Sequence, residues 1–474
     1  MTQRLVVVGG GIAGLAAAWA ARDAASRRGQ ALDILVLERD DVVGGKARTH
    51  AHDGWLVEGG PSGFLDGRPA LERLIEGAGL VAEVVPAGDA SKHRFIFREG
   101  RMRAVAPNPV SLVLNRMVSP FGMLRMMVEP IVPRGRDQGD ETVWAFAARR
   151  FGAEVADRLV SPMALGIFAG DARRLSLGSA FPRTAALEQE HGSLIRGMIA
   201  KRGRMASGAL KSFRGGMQSL PRALAERGGF LVRCRADVHV LQRADKGWRV
   251  GVAGDRELVQ ADAVVLAGEP WATAALLRPH DSEAAQQLDA IPCPAVTVVA
   301  LGFGAADAAR VPAGFGVLIA QAQGFRMLGN LWETNLYPGR GPEGHVLIRA
   351  MLGGAVDHDA GAMSESHALA LVREEVARMY GITGRPVFEQ VVRIPRAIPQ
   401  YEVGHRDRVA SVERALSRLS GLHATGFGLR GVAFADAATD GVNSGERAAL
   451  ELLASREGGT KVNVVGGMPV EAVR

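Results

Sequence analysis

The first sixty residues constrain this chain more than any other stretch. Leu5, Val6, Val7 and Val8 run straight into Gly9, Gly10, Gly11, Ile12, Ala13 and Gly14, and a second apolar run at 34–37 ends on Glu38. Four apolar residues in a row before a glycine turn predict a strand buried on both faces. Ala16, Ala17, Ala18, Ala20 and Ala21 are strong helix formers, so a helix follows the turn. In that setting Gly9 gives the tight turn, Gly11 lets a pyrophosphate approach the backbone, and Gly14 brings helix and strand together. The free N–H groups of the helix's first turn then face the anion. Glu38 ends the second strand, where its carboxylate accepts hydrogen bonds from the hydroxyls of an adenosine ribose. It would repel a 2′-phosphate, which argues against NADP, while NAD and FAD both stay open at this point.

Length and composition exclude several classes. A chain of 474 residues with 47% hydrophobic content has room for two or three domains with sizeable cores. Its apolar stretches are cut by charges or prolines, and none approaches the roughly 20 residues a membrane span needs. The sequence goes straight into a core strand, so no secretory signal is expected, and Cys234 and Cys293 are expected as buried thiols of a cytoplasmic protein. Two cysteines make neither a disulfide framework nor a metal cluster, and no metal is expected. The net charge of +7 is uneven: residues 92–214 hold 21 Lys and Arg against 10 Asp and Glu. That segment reads as a solvated helical face, as a surface for anionic lipid, or as a lure for a polycarboxylate substrate. Low aromatic content and the lack of any nucleic-acid motif exclude a nucleic-acid partner.

Periodicity divides the rest. After the opening strand, helix and strand, 92–214 is mainly helical. Pro120 and Pro130 break residues 110–132 into short pieces, in which Met117, Met123, Met126 and Met127 serve either as core filler or as an amphipathic surface. From Gly215 the pattern returns to a helix at 219–227 and strands at 230–234, 237–241, 248–252 and 263–266. Alternating strands at 296–301, 317–319 and 346–351 predict an antiparallel sheet flooring a pocket, interrupted by a helix at 365–379. A short strand near 421 leads to a final helix from Ser444, and the tail is expected to be loose. The fold class is therefore α/β. The expected domains are a discontinuous FAD-binding Rossmann-like domain at 1–72, 215–290 and 421–455, an inserted antiparallel-sheet substrate domain at 73–91 and 291–420, and a mainly helical domain at 92–214 that could associate with a membrane. Residues 456–474 form the tail.

Two further motifs choose between the dinucleotides. Gly44, Gly45, Lys46, Ala47, Arg48 and Thr49 are followed by Glu58, Gly59, Gly60, Pro61, Ser62 and Gly63, which allow close backbone approach and supply positive charge. Far along the chain, Gly426, Phe427, Gly428, Leu429, Arg430, Gly431 and Val432 lead to Asp436 and a helix whose N-terminus suits the flavin end. A NAD site needs neither element, whereas FAD, long and held at both ends, needs both.

With these residues in view, the chain resembles the oxygen-dependent protoporphyrinogen oxidases of the FAD-dependent amine oxidase and phytoene desaturase superfamily, from Arg4 to about Leu453. The more specific blocks are Gly166, Ile167, Phe168, Ala169, Gly170 and Asp171 with Leu175, Ser176, Phe181 and Pro182; Gly215, Gly216, Met217, Gln218, Leu220 and Pro221; Leu352, Gly353, Gly354 and Ala355; and Arg393 with Pro395, Arg396, Ala397, Ile398, Pro399, Gln400 and Tyr401. The resemblance implies flavin contacts at Gly9, Gly11, Ile12, Ala13, Gly14, Glu38, Arg39, Gly45, Lys46, Arg48, Gly60, Pro61 and Ser62. It adds the Val238 backbone at the adenine, and Gly431, Val432 and Asp436 closing the site. It implies a porphyrinogen substrate whose propionate pairs with Arg94, with the Gly166 backbone beside it and Phe315, Leu318 and Met351 as apolar walls.

The implied reaction is six-electron oxidation of the porphyrinogen to the porphyrin, two electrons at a time through FAD, with dioxygen as acceptor and hydrogen peroxide as product. No side chain is singled out as a general base, and no catalytic residue is named. Phe427 and Ala437 depart from the family pattern, which has a small or polar residue, often Asn, at the first position and Cys at the second. Protoporphyrinogen IX, with two propionates, ranks ahead of coproporphyrinogen III, with four, because the extra cations that the latter needs, such as Arg173, Arg174 and Arg183, have no assigned place. A carotenoid or squalene-type desaturase would need a long apolar tunnel and no propionate-binding arginine. Peripheral contact with an anionic membrane and a homodimer are left open.

Overall fold

The computed structural model describes residues 2–105, 109–135, 139–201, 208–320 and 323–456. Its first sheet is wholly parallel, five strands in the order Leu231–Arg233, Leu32–Leu37, Gln3–Val8, Ala263–Leu266 and Leu422–Ala424. The central strand keeps Leu5, Val6 and Val7 free of solvent, as a strand covered on both faces requires. Sheet strands thus come from three separate stretches of the chain.

One face of this sheet carries the helices Ile12–Ser26 and Phe434–Arg456. These two lie unusually close: a Cβ on Gly441 would sit 2.2 Å from the Ala13 carbonyl oxygen, and one on Gly445 would sit 2.0 Å from that of Ala17. The other face is covered by the small antiparallel sheet of Val238–Arg243, Trp248–Val252 and Val259–Ala261, with the helices Pro270–Leu277 and Ser282–Asp289.

A second large sheet has seven strands, ordered Phe388–Ile394, Val296–Phe303, Val346–Gly353, Met327–Trp332, Gly316–Ile319, Arg94–Arg98 and Arg101–Val105. Every neighbouring pair is antiparallel except Gly316–Ile319 with Arg94–Arg98. The helices His358–Ala362 and Glu365–Tyr380 pack on this unit.

Three expectations change. The hairpin of Arg94–Arg98 and Arg101–Val105 belongs to the seven-stranded sheet, so the helical stretch of 92–214 starts only at Pro109–Leu114. Residues 110–132 do fall into short pieces, Pro109–Leu114, Pro120–Met127 and Glu129–Ile131, and Pro120 occupies the first turn of its piece after Ser119, whose Oγ accepts from the Gly122 N–H at 3.0 Å. The last helix starts at Phe434, ten residues before Ser444, because Gly441 serves helix packing instead of a turn. Both cysteines are only half-buried, although burial still pushes the Cys293 thiol up to about 11. The expected loose tail lies, beyond residue 456, outside the described residues. No helix among the described residues is long and apolar enough to cross a membrane.

Candidate functional site

The main cleft opens at the carboxyl ends of the parallel strands, where ligands of such sheets bind. It is lined by Gly9, Gly11, Ile12 and Ala13, by Glu38, Arg39, Gly45 and Lys46, by Val238, and by Gly426, Phe427 and Gly428. The three fingerprint glycines do three different jobs. Gly9 has φ +115°, and a Cβ there would lie 2.7 Å from the Ala267 carbonyl oxygen; one on Gly14 would lie 1.9 Å from that of Gly9. Gly11 has nothing within 4 Å of its virtual Cβ, so its backbone faces open space. Gly11 also caps the helix Ile12–Ser26 with no side-chain hydrogen bond, leaving first-turn N–H groups for a ligand anion.

Glu38 is buried and fixed from two sides. Its Oε2 accepts from the Gly10 N–H at 2.6 Å, and its Oε1 accepts from the Asp40 N–H at 2.8 Å. Each carboxylate oxygen retains a lone pair for a ribose hydroxyl. Val238 sits beside a bulge in its strand, where the ladder between Val238 and Val240 is interrupted.

The Gly44 turn docks on the fingerprint through the Gly44 N–H, which donates to the Gly10 carbonyl at 2.9 Å. Gln218, which carried no assigned role, braces this turn. Its Nε2 donates to the Val43 carbonyl at 2.7 Å, and its Oε1 accepts from the Thr49 N–H at 3.2 Å. Gly60 lies against the same turn, since a Cβ on it would meet the Lys46 carbonyl oxygen at 2.0 Å.

Behind the second loop stands a buried cluster that the sequence did not announce. Arg349 donates through Nη1 to the carbonyls of Glu58 and Gly60 at 3.1 and 3.0 Å, through Nη2 to Ser62 Oγ at 2.8 Å, and through Nε to Glu333 at 2.8 Å. Gly60, Pro61 and Ser62 therefore form a clamped loop beside the cleft, outside its open lining.

Some expected contacts point elsewhere. Arg48 pairs with Asp41 at 2.6 Å and is outside the lining. Asp436, in the first turn of the last helix, pairs with Arg68 at 2.7 Å, and Val432 packs with Phe168 and Tyr401. A Cβ on Gly431 would sit 2.3 Å from that of Asp436. Residues 426–428 supply the lining at this end. Tyr401 Oη donates to the Phe427 carbonyl, and the His405 Nε2 is 3.0 Å from the Leu429 carbonyl, with the two rings stacked at 4.0 Å between centroids. From the other side, Asp440 accepts from Thr425 Oγ1 at 2.7 Å and from the Gly426 N–H at 3.0 Å.

The second region is a face of the seven-stranded sheet. Registration places Val298, Met351, Gly329, Leu318 and Ile96 side by side in one row. The helix Ser161–Phe168 lies on this row at Gly166, whose missing Cβ would be 2.6 Å from Leu318 Cδ2. Met163 and Ile167, at helical spacing around Gly166, leave large apolar side chains exposed. Two pairs along, Arg94 is opposite Gly316 and holds its guanidinium 5.2 Å from the Phe315 ring centroid. Arg94, Gly166, Phe315, Leu318 and Met351 are thus brought to one sheet region from four distant stretches.

Two of the three expected rim arginines are engaged, and the third, Arg183, is exposed. Arg173 pairs with Asp157 at 2.9 Å and stacks over Trp144, and Arg174 pairs with Glu402 at 2.9 Å. Arg98 and Arg158, which line a second cleft with Arg173, pair with Glu99 and Glu154.

Comparison with known proteins extends over nearly the whole chain. Residues 12–453 match the family model described as flavin containing amine oxidoreductase. A chloroplastic protoporphyrinogen oxidase of Oryza sativa subsp. japonica is 32% identical, covering 90% of this chain and 84% of its own. A coproporphyrinogen III oxidase of Bacillus subtilis is 28% identical, covering 93% and 96%. Among solved structures, a candidate protoporphyrinogen oxidase of Exiguobacterium superposes with a TM-score of 0.83 at 24% identity, over 95% of this chain and 99% of that one, which shows a shared fold.

Proposed function

The chain belongs to the family of flavin-containing amine oxidoreductases, and from that premise we propose that it oxidises protoporphyrinogen IX to protoporphyrin IX in tetrapyrrole biosynthesis. It is an FAD-dependent oxidoreductase, and its cleft suits that cofactor: an open Gly11, an uncapped helix N-terminus and a buried acid, Glu38, stand in one lining. Bound there, FAD supplies two-electron oxidising capacity, so three turnovers remove the six electrons and six protons of the reaction while three dioxygen molecules become hydrogen peroxide.

The chain's own residues hold and orient. Backbone N–H groups of residues 11–13 receive the diphosphate, Glu38 the ribose, the Val238 backbone the adenine, and Lys46 adds positive charge. Gly60, Pro61 and Ser62, clamped by Arg349, support the flavin end, with Gly431 and Val432 behind the opposite loop. On the sheet face, Arg94 pairs with a propionate. Phe315, Leu318 and Met351 form apolar walls, and the Gly166 backbone closes one edge. A porphyrinogen is an apolar disc with carboxylates on its rim, so an apolar row with one cation two residues along the strand of Ile96 matches it. No side chain in that row is placed to take a proton, so pyrrole N–H protons leave to solvent.

The observation that carries this reading is the assembly of Arg94 with Phe315, Gly166, Leu318 and Met351 on one sheet region. Engagement of Arg98, Arg158, Arg173 and Arg174 by carboxylates supports a dicarboxylate substrate over the four-propionate alternative, coproporphyrinogen III. Porphyrin fluorescence followed in air with each porphyrinogen tests this: faster turnover of protoporphyrinogen supports it, and preference for coproporphyrinogen reverses the ranking.

A specific surface favours peripheral membrane contact as well. Leu114, Phe121, Leu124, Met127 and Ile131 are each more than half exposed, and Arg116 and Arg134 are exposed in the same stretch. Such an apolar patch with flanking cations suits anionic lipid. Co-sedimentation with anionic but not neutral vesicles is expected, and no binding to either refutes the contact.

A further inference from the structure

The charges lining the cofactor cleft are the reverse of what its ligand asks for. FAD brings a diphosphate with two negative charges, yet the lining holds four carboxylates, Glu38, Asp40, Asp237 and Glu269, against two cations, Arg39 and Lys46. Three of the four acids are accounted for. Glu38 is held by two backbone N–H groups, Asp40 lies 3.6 Å from Arg39, and Asp237 is exposed to water.

Glu269 is different. It is mostly buried, and its carboxylate meets Lys46 Nζ at 2.9 Å. Although Glu269 caps the helix Pro270–Leu277, it makes no side-chain capping bond, so Lys46 is its main partner. The ammonium is covered by Phe427, whose ring centroid lies 4.2 Å away, and by Trp271 at 5.6 Å. The Phe427 ring thus shields a partly buried ion pair.

We propose that Glu269 is the counter-ion of Lys46 when FAD is absent, and that diphosphate binding takes Lys46 from it, Glu269 then accepting one proton from solvent. The balance is simple: one ion pair is exchanged for another, and one proton moves from water to a carboxylate. Nothing is oxidised or reduced, and no further reactant is needed.

The electrostatic surroundings support this. Burial pushes the Glu269 carboxyl up even while Lys46 is beside it, with Arg39 opposing and Glu38 reinforcing the rise. Burial likewise holds Lys46 below its ordinary range. Removing a buried partner leaves an uncompensated charge, which shifts its titration further until it neutralises. Cys293, the other titratable group nearby, is a thiol with its value pushed up to about 11 and does not compete near neutrality. Arg396 stacks on Trp271, 4.7 Å from the ring centroid, and stays charged.

The inference rests on FAD occupying this cleft, and one experiment separates the two. Full-chain holoenzyme is diluted, and free flavin is measured by fluorescence between about pH 6 and 8. Uptake of one proton makes the FAD dissociation constant rise with pH, by up to about tenfold per unit. E269Q should bind more tightly at the upper end, with a flat profile. A flat wild-type profile, which needs no variant to interpret, overturns the proposal, as does an E269Q profile as steep as wild type. Failure of purified protein to carry any flavin would instead overturn FAD occupancy itself.

Discussion

The cofactor cleft and the proposed substrate face are built by opposite means. In the cleft, backbone meets backbone: Gly14 against the Gly9 carbonyl, Gly60 against that of Lys46, and Gly9 against that of Ala267. On the substrate face, side chains from distant strands are placed by sheet register, and a single glycine, Gly166, lets the covering helix come down onto Leu318. A backbone site leaves no room for an added carbon, whereas a side-chain row exchanges groups of like volume at little cost. The cleft is therefore suited to one invariable cofactor, and the face to adjustment of the substrate.

Arg349 joins the two regions, since it projects from the sheet strand Val346–Gly353 into the loop at 58–62. Arg349→Met leaves Glu333 buried without its cation, with only the Ser62 hydroxyl still donating to it, and a loss of about 3 to 5 kcal/mol is expected in denaturant unfolding, with flavin released early. A variant of wild-type stability would show that the cleft loop holds itself. Gly14→Ala tests the backbone side: its Cβ overlaps the Gly9 carbonyl, and about 3 kcal/mol of stability and most flavin binding should go. Normal flavin content in that variant would remove the contrast.

The loop at 426–430 makes a milder, pH-dependent case. Burial holds the His405 imidazole down at about 4, so it is neutral when its Nε2 donates to the Leu429 carbonyl. The folded value lies below the unfolded value of about 6.5, so the unfolded chain binds more protons between the two. This contribution is full above about pH 6.5 and is lost as pH falls toward 4, roughly 3 kcal/mol in all. Melting temperature should fall over that window in wild type and fall less in His405→Gln; parallel curves would discount His405.

The smallest effect is expected on the face. Arg94→Ala removes one charge-assisted pair to a flexible rim carboxylate, worth about 1.5 to 3 kcal/mol. A rise in KM of roughly ten- to a hundredfold with flavin content intact is expected. Unchanged KM would point to a substrate without a propionate, such as the long polyene of a desaturase.

The same contrast explains what could be read in advance. Residues 9–38 were legible because strand, turn, helix and acid all fall within one short stretch. Arg349 and Gln218 were not, because the groups they hold lie far away in the chain and only folding brings them together. The last helix was expected only from Ser444 for a related reason: the bare Cα of Gly441 admits the distant helix carrying Ala13. Arg48 and Asp436 looked like free charges beside glycine motifs, and the structure supplies their partners, Asp41 and Arg68. The hairpin carrying Arg94 was grouped with the basic helical stretch by composition, whereas its pairing with Gly316 places it in the sheet.

The most direct test of the whole account is anaerobic mixing of the flavin-loaded protein with protoporphyrinogen IX. Oxidised-flavin absorbance should be lost in a single turnover, with colour returning and porphyrin fluorescence rising when air is admitted. Flavin that stays oxidised while the porphyrinogen persists would contradict it.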